Sequence, residues 1–564
     1  MQPLAFDGLF GWLHRQSGPS QDTGVLLISP LGRDARCAHR PMRLFADQLA
    51  QAGFPTLRYD HRGCGDSLDL TDASGDALAA WRADIEQAVA TLRARTGVSR
   101  VVLGGVRLGA TLAALSADQA DGLILLAPVL NGRSWLRRLR FSADVASARL
   151  QAGVHAPLDA EGLYLSAETV ASLSQIDLSA MALTPVAVFV AAQNKLVEAY
   201  AQALSVGGAP VRSTGFSGFR ELFLDAHSNL PPLAVFDQAA QWLRANFGDL
   251  ALTAALAAPP APELRPPGAV ERPVAFGVGL HGVLCQPEAP VEAGTAVLFC
   301  NTGGDPRAGI GGFATKAARE LALRGVASLR FDFAGLGDSR QGDETTRCHV
   351  YETSREADMD AALAFLADQG AQTITVVGVC AGAYHALHAS WRAPQVKGVF
   401  AVSPVKLVWR GGDSLIFGRK DDGKATRVYA RAATRLQTWK RLLKGEIDVL
   451  AVSHTLAARL KGRAQGVTWT RTAGSPSSEL ERFLRRGGRA CLIMGLDDGS
   501  LDEVETYLGP RGSRLSRIHG GSVKILPRLD HGLAREESRQ ITLESLLNWL
   551  GLDQAKGQGR PQSA

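Results

Sequence analysis

Short apolar runs rich in β-branched residues alternate along this chain with longer stretches whose apolar positions recur at helical spacing. In the first half, the runs at residues 24–30, 56–60, 101–104, 122–128 and 186–191 predict buried strands. Residues 42–52 (closed by Gly53), 81–95 and 233–247 predict helices, and residues 3–16 a hairpin. In the second half, strands are predicted at 294–301, 326–332, 373–377, 396–404, 490–495 and 523–527. Helices are predicted there at 311–324, 354–369, 383–391 and 541–550. Strands that alternate with helices imply a mostly parallel sheet covered on both faces. No apolar run reaches the roughly 18 residues that a membrane span requires.

The pattern occurs twice. Pro3-Leu-Ala-Phe6 matches Pro273-Val-Ala-Phe276, and Gly105-Val-Arg-Leu-Gly-Ala110 matches Gly378-Val-Cys-Ala-Gly-Ala383. Leu57-Arg-Tyr-Asp-His-Arg-Gly-Cys-Gly-Asp-Ser67 matches Leu329-Arg-Phe-Asp-Phe-Ala-Gly-Leu-Gly-Asp-Ser339. The offsets are 270, 273 and 272, so one fold is present in two tandem copies. The expected domains are 1–249 and 273–554, with a disordered tail at 555–564. The Ala- and Pro-rich segment 250–272 reads as a semi-rigid linker.

A chain of 564 residues exceeds what one core can organise, in keeping with two domains. The net charge of +6 is mild for this size, and no pattern for nucleic acid is present. Seven scattered cysteines with no C-x-x-C pair favour reduced thiols over a disulfide framework or a zinc site. Reduced thiols in turn favour a cytoplasmic location, and the first residues lack the basic and apolar regions of a secretory signal, so none is expected. No metal and no cofactor are expected.

The chemistry centres on Gly378-Val-Cys-Ala-Gly382, which stands between the strand 373–377 and the helix 383–391. A nucleophile in a tight strand–helix turn needs small flanking residues, because side chains there would strike the neighbouring strand and helix. Cys380 would also lie at a helix N-terminus, where the dipole favours thiolate. The bland alternative is a buried cysteine in a glycine-rich turn. Asp498 follows one strand and His531 the next, both at carboxyl ends, where ligands bind parallel sheets. Asp497 is an alternative acid. The backbone N–H groups of Ala381 and of Thr302 or Gly303 would form an oxyanion hole. In the first half Arg107 stands at the nucleophile position, Asn194 at the acid position, and His227 is a candidate for the histidine. A guanidinium cannot attack a carbonyl, so this copy reads as structural; the sharper alternative is an anion site at Arg107.

On these motifs both halves resemble α/β-hydrolases of the serine-aminopeptidase-like type, with nucleophile, acid and histidine in that chain order. Gly378-Val-Cys-Ala-Gly382 with Arg307-Ala-Gly309 resembles the exosortase A-associated hydrolase 1 family, which also carries cysteine at the turn. Gly105-Val-Arg-Leu-Gly109 resembles the exosortase A-associated hydrolase 2 family, with arginine there. The resemblance implies two tandem α/β-hydrolase domains and a bacterial biosynthetic setting. A Cys–His pair implies an acyl hydrolase of esters or thioesters working through a covalent thioester. Capture of that intermediate by an amine or alcohol would make the protein an acyltransferase. A non-catalytic binding or scaffold protein is the third reading.

Residues 405–489 interrupt the alternation where such folds insert a lid. From Lys406 to Arg489 there are 19 Lys and Arg against 7 Asp and Glu. Leu436, Trp439, Leu442 and Leu443 mark one side of an amphipathic helix, with Arg435, Lys440 and Arg441 around them. A basic rim over an active-site mouth would draw in anions. A phosphopantetheinyl thioester, on coenzyme A or an acidic carrier protein, fits that rim; an anionic membrane surface is another candidate partner.

Overall fold

The apolar runs assemble into two eight-stranded sheets in a computed structural model. It describes residues 1–15, 20–70, 75–147, 156–181, 186–248, 251–252, 262–289, 294–340, 342–348, 350–351, 355–409 and 474–552. The first sheet runs in the spatial order Gln2–Phe6, Leu9–His14, Thr56–Asp60, Thr23–Ile28, Arg100–Val106, Gly122–Leu126, Ala187–Ala192, Val211–Gly215. The second runs Ala269–Phe276, Leu280–Pro287, Ala327–Asp332, Thr295–Phe299, Thr373–Val379, Val396–Val402, Arg489–Gly495, Gly521–Leu526. In each, the opening hairpin is antiparallel and joins the third strand of the order antiparallel, and the strands from there on pair in parallel. This is the strand order and connectivity of the α/β-hydrolase fold, twice over.

Alternation along each strand divides the core into two layers, because successive side chains point to opposite faces. Leu26 and Ile28 pack towards the helix Ala77–Thr96, while Val25 and Leu27 pack towards Gly32–Gln51 and Leu233–Phe247. Phe45 and Phe236 join those last two helices by a stacked contact at 4.4 Å. In the second half Leu298, Ile374 and Val376 face one layer, and Val297, Phe299 and Val379 the other.

The halves face each other across a nearly symmetric junction made by the repeated motif. Arg58 pairs with Asp338 at 2.5 Å, and its counterpart Arg330 pairs with Asp66, the counterpart of Asp338, at 2.8 Å. Reciprocal contacts of this kind mark a two-fold-like interface. Arg307 lies at its centre with Asp66, Asp332 and Asp338, each at 2.7 Å, and is 4% exposed. Ser67 and Ser339 act alike. Each donates to the carbonyl of the last residue of its strand (Asp60 or Asp332) and accepts from the opening hairpin (Phe10 N–H or His281 N–H).

Four differences from the sequence expectation have physical causes. The helix expected at 42–52 begins at Gly32, with Pro41 inside it. Its first turns hold Asp34, Arg36, His39, Arg40 and Arg43, and the last four of these bind the second half. The segment expected as linker contributes pairing of its own: Ala251–Leu252 pairs with Ser20–Gln21, Leu264 bridges to Glu271, and a strand begins at Ala269. Part of the segment expected as lid belongs to the core, because Pro476–Arg485 is a helix that buries Leu480, Phe483 and Leu484 there. Between residues 129 and 185, where no element was expected, lie the helices Gly132–Ser147 and Ala167–Ser174 and the hairpin Leu158–Ala160 with Leu163–Leu165.

Candidate active site

Cys380 stands between Thr373–Val379 and Ala381–Arg392 with φ 56° and ψ −114°, a conformation that costs a non-glycine residue about 1–3 kcal/mol. The glycines make it attainable. A Cβ on Gly378 would overlap the Gly382 backbone, and one on Gly382 would lie 2.6 Å from the Asn301 carbonyl oxygen. Arg107 has nearly the same backbone, φ 55° and ψ −125°, and a Cβ on Gly105 would lie 2.5 Å from Gly109.

His531 Nδ1 and Asp498 Oδ1 are 2.9 Å apart. Asp498 is 5% exposed, and burial opposes its charge. The charge and hydrogen bond of His531, then Ser403 and the Ser500 N–H, outweigh burial and hold the carboxyl below the usual carboxylate range. Crowding also opposes a charged His531. Asp498 and then Cys380 outweigh it, and the His531 pKa is pushed well above the usual histidine value. The ring keeps 39% of its side-chain surface open, as a group that meets substrate requires. Cys380 itself is partly exposed.

The loop after Thr295–Phe299 packs on the start of the cysteine-bearing helix. Asn301 ties it down, donating through Nδ2 to the Asp305 carbonyl and to Asp332, each at 2.9 Å, and accepting from Phe333 N–H. Gly303 has φ 59°, and a side chain there would meet nothing within 4 Å. The Thr302 carbonyl accepts from the Asp305 N–H. Ala381 opens its helix, so its N–H has no carbonyl in the preceding turn to bind. Above the site, Tyr351 stacks on Trp409 at 5.0 Å and meets Tyr384 edge-on at 5.2 Å; Val350, Tyr351 and Ala381 share one apolar cluster. Burial first, and then Cys380, push the Tyr351 hydroxyl well above the usual tyrosine value.

The first half braces both loops of this site. Arg36 donates to both carboxylate oxygens of Asp305 at 3.1 Å, and Gly304 lies against the backbone of Ala226 and His227. The hairpin at 158–165 meets the segment after His531: Gly162 N–H donates to the Ala534 carbonyl at 2.9 Å, and Glu536 N–H to Asp159 Oδ2 at 2.8 Å.

The counterpart residues of the first half do not assemble. Arg107 pairs with Asp34 at 3.5 Å and lies over the Phe219 ring. Asp34 also meets Arg138, which reaches Glu161. The guanidinium therefore already has a carboxylate, contrary to its reading as a vacant anion site. Asn194 caps the helix Lys195–Val206, accepting from Leu196 and Val197 N–H, and His227 sits at the junction. Among the described residues, no hydrogen bond joins Arg107, Asn194 and His227. Arg435, Lys440 and Arg441 lie outside the described residues. Sequence reasoning missed Ser403, Tyr351 and Arg36. Ser403 had a usable signal: it occupies, at φ 48°, the place after its strand that Ala127 occupies at φ 50° in the first copy.

A family model for serine aminopeptidase, S33, matches residues 38–203, the half that carries Arg107. Est1E from Butyrivibrio proteoclasticus, solved with ferulic acid, is similar at 16% identity over 43% of this chain and 99% of its own, with a TM-score of 0.32. An esterase of Pyrococcus furiosus, Pf2001, is 17% identical over 50% of this chain and 93% of its own, TM-score 0.29. The lidless serine hydrolase XC6422 of Xanthomonas campestris is 14% identical over 51% and 95%, TM-score 0.29. No curated protein matches this chain. Among the described residues, no helix is long and apolar enough to cross a membrane.

Proposed function

We propose that the second half is an acyl-group hydrolase acting on esters or thioesters through Cys380, His531 and Asp498. The observation that carries this reading is the His531–Asp498 pair, one member partly open and the other buried, beside a cysteine in the strained turn. His531 takes the thiol proton, and the Cys380 thiolate attacks the substrate carbonyl carbon. The oxyanion is received by the Ala381 N–H and by one from Thr302 or Gly303. The carbonyl re-forms as His531 returns its proton to the leaving alcohol or thiol, which leaves a thioester on Cys380. Water deprotonated by His531 then releases the acid. Asp498 holds the ring and stabilises the imidazolium. An amine or alcohol in place of that water would give acyl transfer, so product analysis decides between the two.

The other six cysteines are poor candidates for the nucleophile. Burial pushes all their thiols up, those of Cys37, Cys64 and Cys285 to about 12. Intact-mass analysis after incubation with a panel of acyl esters and thioesters should show one acyl adduct on the wild type and none on Cys380→Ala. Full turnover by Cys380→Ala would overturn the mechanism, and alkylation of Cys380 no faster than the other thiols would favour a binding or scaffold protein.

For the substrate, the basic stretch 406–489 supports a phosphopantetheinyl thioester. Salt, or reversal of Arg435, Lys440 and Arg441 to glutamate, should lower kcat/KM for such a substrate and spare a small uncharged ester. Equal sensitivity of both would remove the steering argument.

A further inference from the structure

A cavity of about 530 Å³ lies at the junction of the halves, apart from Cys380 and His531. Its volume falls within the roughly 300–1,000 Å³ of small-molecule sites. Met42, Leu70 and Leu163 give it apolar surface, and Asp60, Glu161 and His61 are among its polar groups. One wall is the segment from Pro306 to Gly312, which continues the loop of Thr302 and Gly303.

The repeat shows what is unsatisfied there. Asp332, the counterpart of Asp60, receives the Arg307 guanidinium and backbone N–H at 2.7 Å and Asn301 at 2.9 Å. Asp60 accepts the Asp66 N–H at 3.0 Å and has no cation at ion-pair distance among the described residues, with the cavity beside it. Burial accordingly pushes the Asp60 carboxyl up. Glu161 meets Arg138 through Oε1 at 3.6 Å, but its Oε2 is buried without a hydrogen-bond partner, the side chain only 10% accessible; His61 Nε2 is likewise buried and unpartnered. The cavity's cations, in contrast, are already engaged: Arg36 with Asp305, Arg58 with Asp338, Arg62 with Asp84, and Lys316 and Arg539 with Glu536. In the network around Arg307, four arginines (58, 307, 319 and 330) meet five carboxylates (Asp66, Asp69, Asp332, Asp338 and Glu271), with His39 beside Asp338. An anion entering the cavity would have to displace an ion pair, whereas a cation would complete one.

We propose that this cavity binds a small organic cation, an amine or amidine with an apolar portion, whose charge rests against Asp60 and Glu161 in the role that Arg307 plays for Asp332. The site does not depend on the catalytic reading of Cys380. The test is calorimetric titration of the full-length protein with three isosteres: benzamidine, benzamide and benzoate. Benzamidine should bind saturably, and the neutral and anionic isosteres at least about tenfold more weakly. Asp60→Asn and Glu161→Gln should each weaken benzamidine by about tenfold, the second serving where the first perturbs folding. Cys380→Ala should leave its affinity unchanged. Benzoate as tight as benzamidine, affinity unmoved by both carboxylate variants, loss of binding in Cys380→Ala, or no saturable binding would each overturn the proposal.

Discussion

The two copies of the strand–turn–helix motif keep one backbone and part company in chemistry. Arg107 and Cys380 share the same positive-φ turn, and glycines at matching places admit it in both. A strained turn at the carboxyl end of a central parallel strand is therefore not by itself a catalytic signature. The packing of strand against helix sustains it with arginine at the apex as well as with cysteine. What separates the copies is the company the turn keeps. In the second half, His531 and Asp498 form a pair beside it. In the first, Asn194 caps its own helix, and His227 faces the other half. The first half also contacts the second beside this pair, reaching Asp305 through Arg36 and the segment after His531 through Asp159 and Gly162.

The largest effects should come from breaking the chemistry of one copy. Cys380→Ala should lower turnover by about 10³-fold or more while far-UV circular dichroism stays unchanged. Loss of the base in His531→Ala should cost about 10²–10⁴-fold. The same pair predicts a pH dependence of stability. Asp498 is depressed, so its contribution is present at neutral pH and is lost as the pH falls through its folded pKa. His531 is raised, so its contribution is full below the usual histidine value and is lost as the pH rises through its folded pKa. The difference in Tm between wild type and His531→Gln should be widest between those limits and narrow on either side. A difference that does not vary with pH would argue against the ion pair.

Breaking the junction should come next. Arg307→Met would leave Asp66, Asp332 and Asp338 buried without their shared cation, a loss of about 3–5 kcal/mol readable in urea denaturation. Wild-type stability in that variant would mean that the halves do not depend on this network. Arg36→Ala acts at a distance from the chemistry. It removes both hydrogen bonds that Arg36 Nη1 donates to Asp305 and should lower kcat about tenfold with little change in KM, since the loop carrying Thr302 and Gly303 loses its brace. Retention of activity by Arg36→Lys would show that the charge, rather than the fork, matters.

The fold class was legible because buried parallel strands announce themselves as β-branched runs, and the constant offset of the motifs exposed the duplication. The turns were legible because glycine spacing has a steric cause. What escaped reading had the opposite character. Asp34, Arg40 and Arg43 are polar residues buried in the folded chain, the two arginines against another copy of the same fold, and nothing in a single chain's periodicity distinguishes that from a solvated face. Val211–Gly215 is a polar edge strand with no apolar alternation. Leu264 and Ala269 were hidden in a proline-rich stretch. Tyr351 comes from a loop with no periodic pattern, and only folding brings it near Cys380. The paired charges of the junction were on the page as Leu-Arg-x-Asp and Gly-Asp-Ser, but reading them as partners required knowing that the copies face each other.

The smallest effect should fall on Arg107, where the comparison is sharpest. Arg107→Ala removes a guanidinium 3.5 Å from Asp34 and a contact with the Phe219 ring, yet Asp34 keeps Arg138 at 3.6 Å, so no carboxylate is orphaned. The expected stability loss is about 1 kcal/mol or less. The kinetic constants of the second half should stay within about twofold, because Arg107 touches neither loop that the first half braces. Were Arg107 an anion site, KM for an anionic substrate would rise with kcat unchanged, as loss of uniform binding requires. Arg107→Ser carries the comparison one step further. It would place a hydroxyl on a turn with the backbone of a nucleophile, but Asn194 offers no charge to an imidazolium, and His227 is held against Gly304. Acylation of that introduced hydroxyl by an activated ester, detected by peptide mass, would therefore be the result least compatible with a purely structural first half.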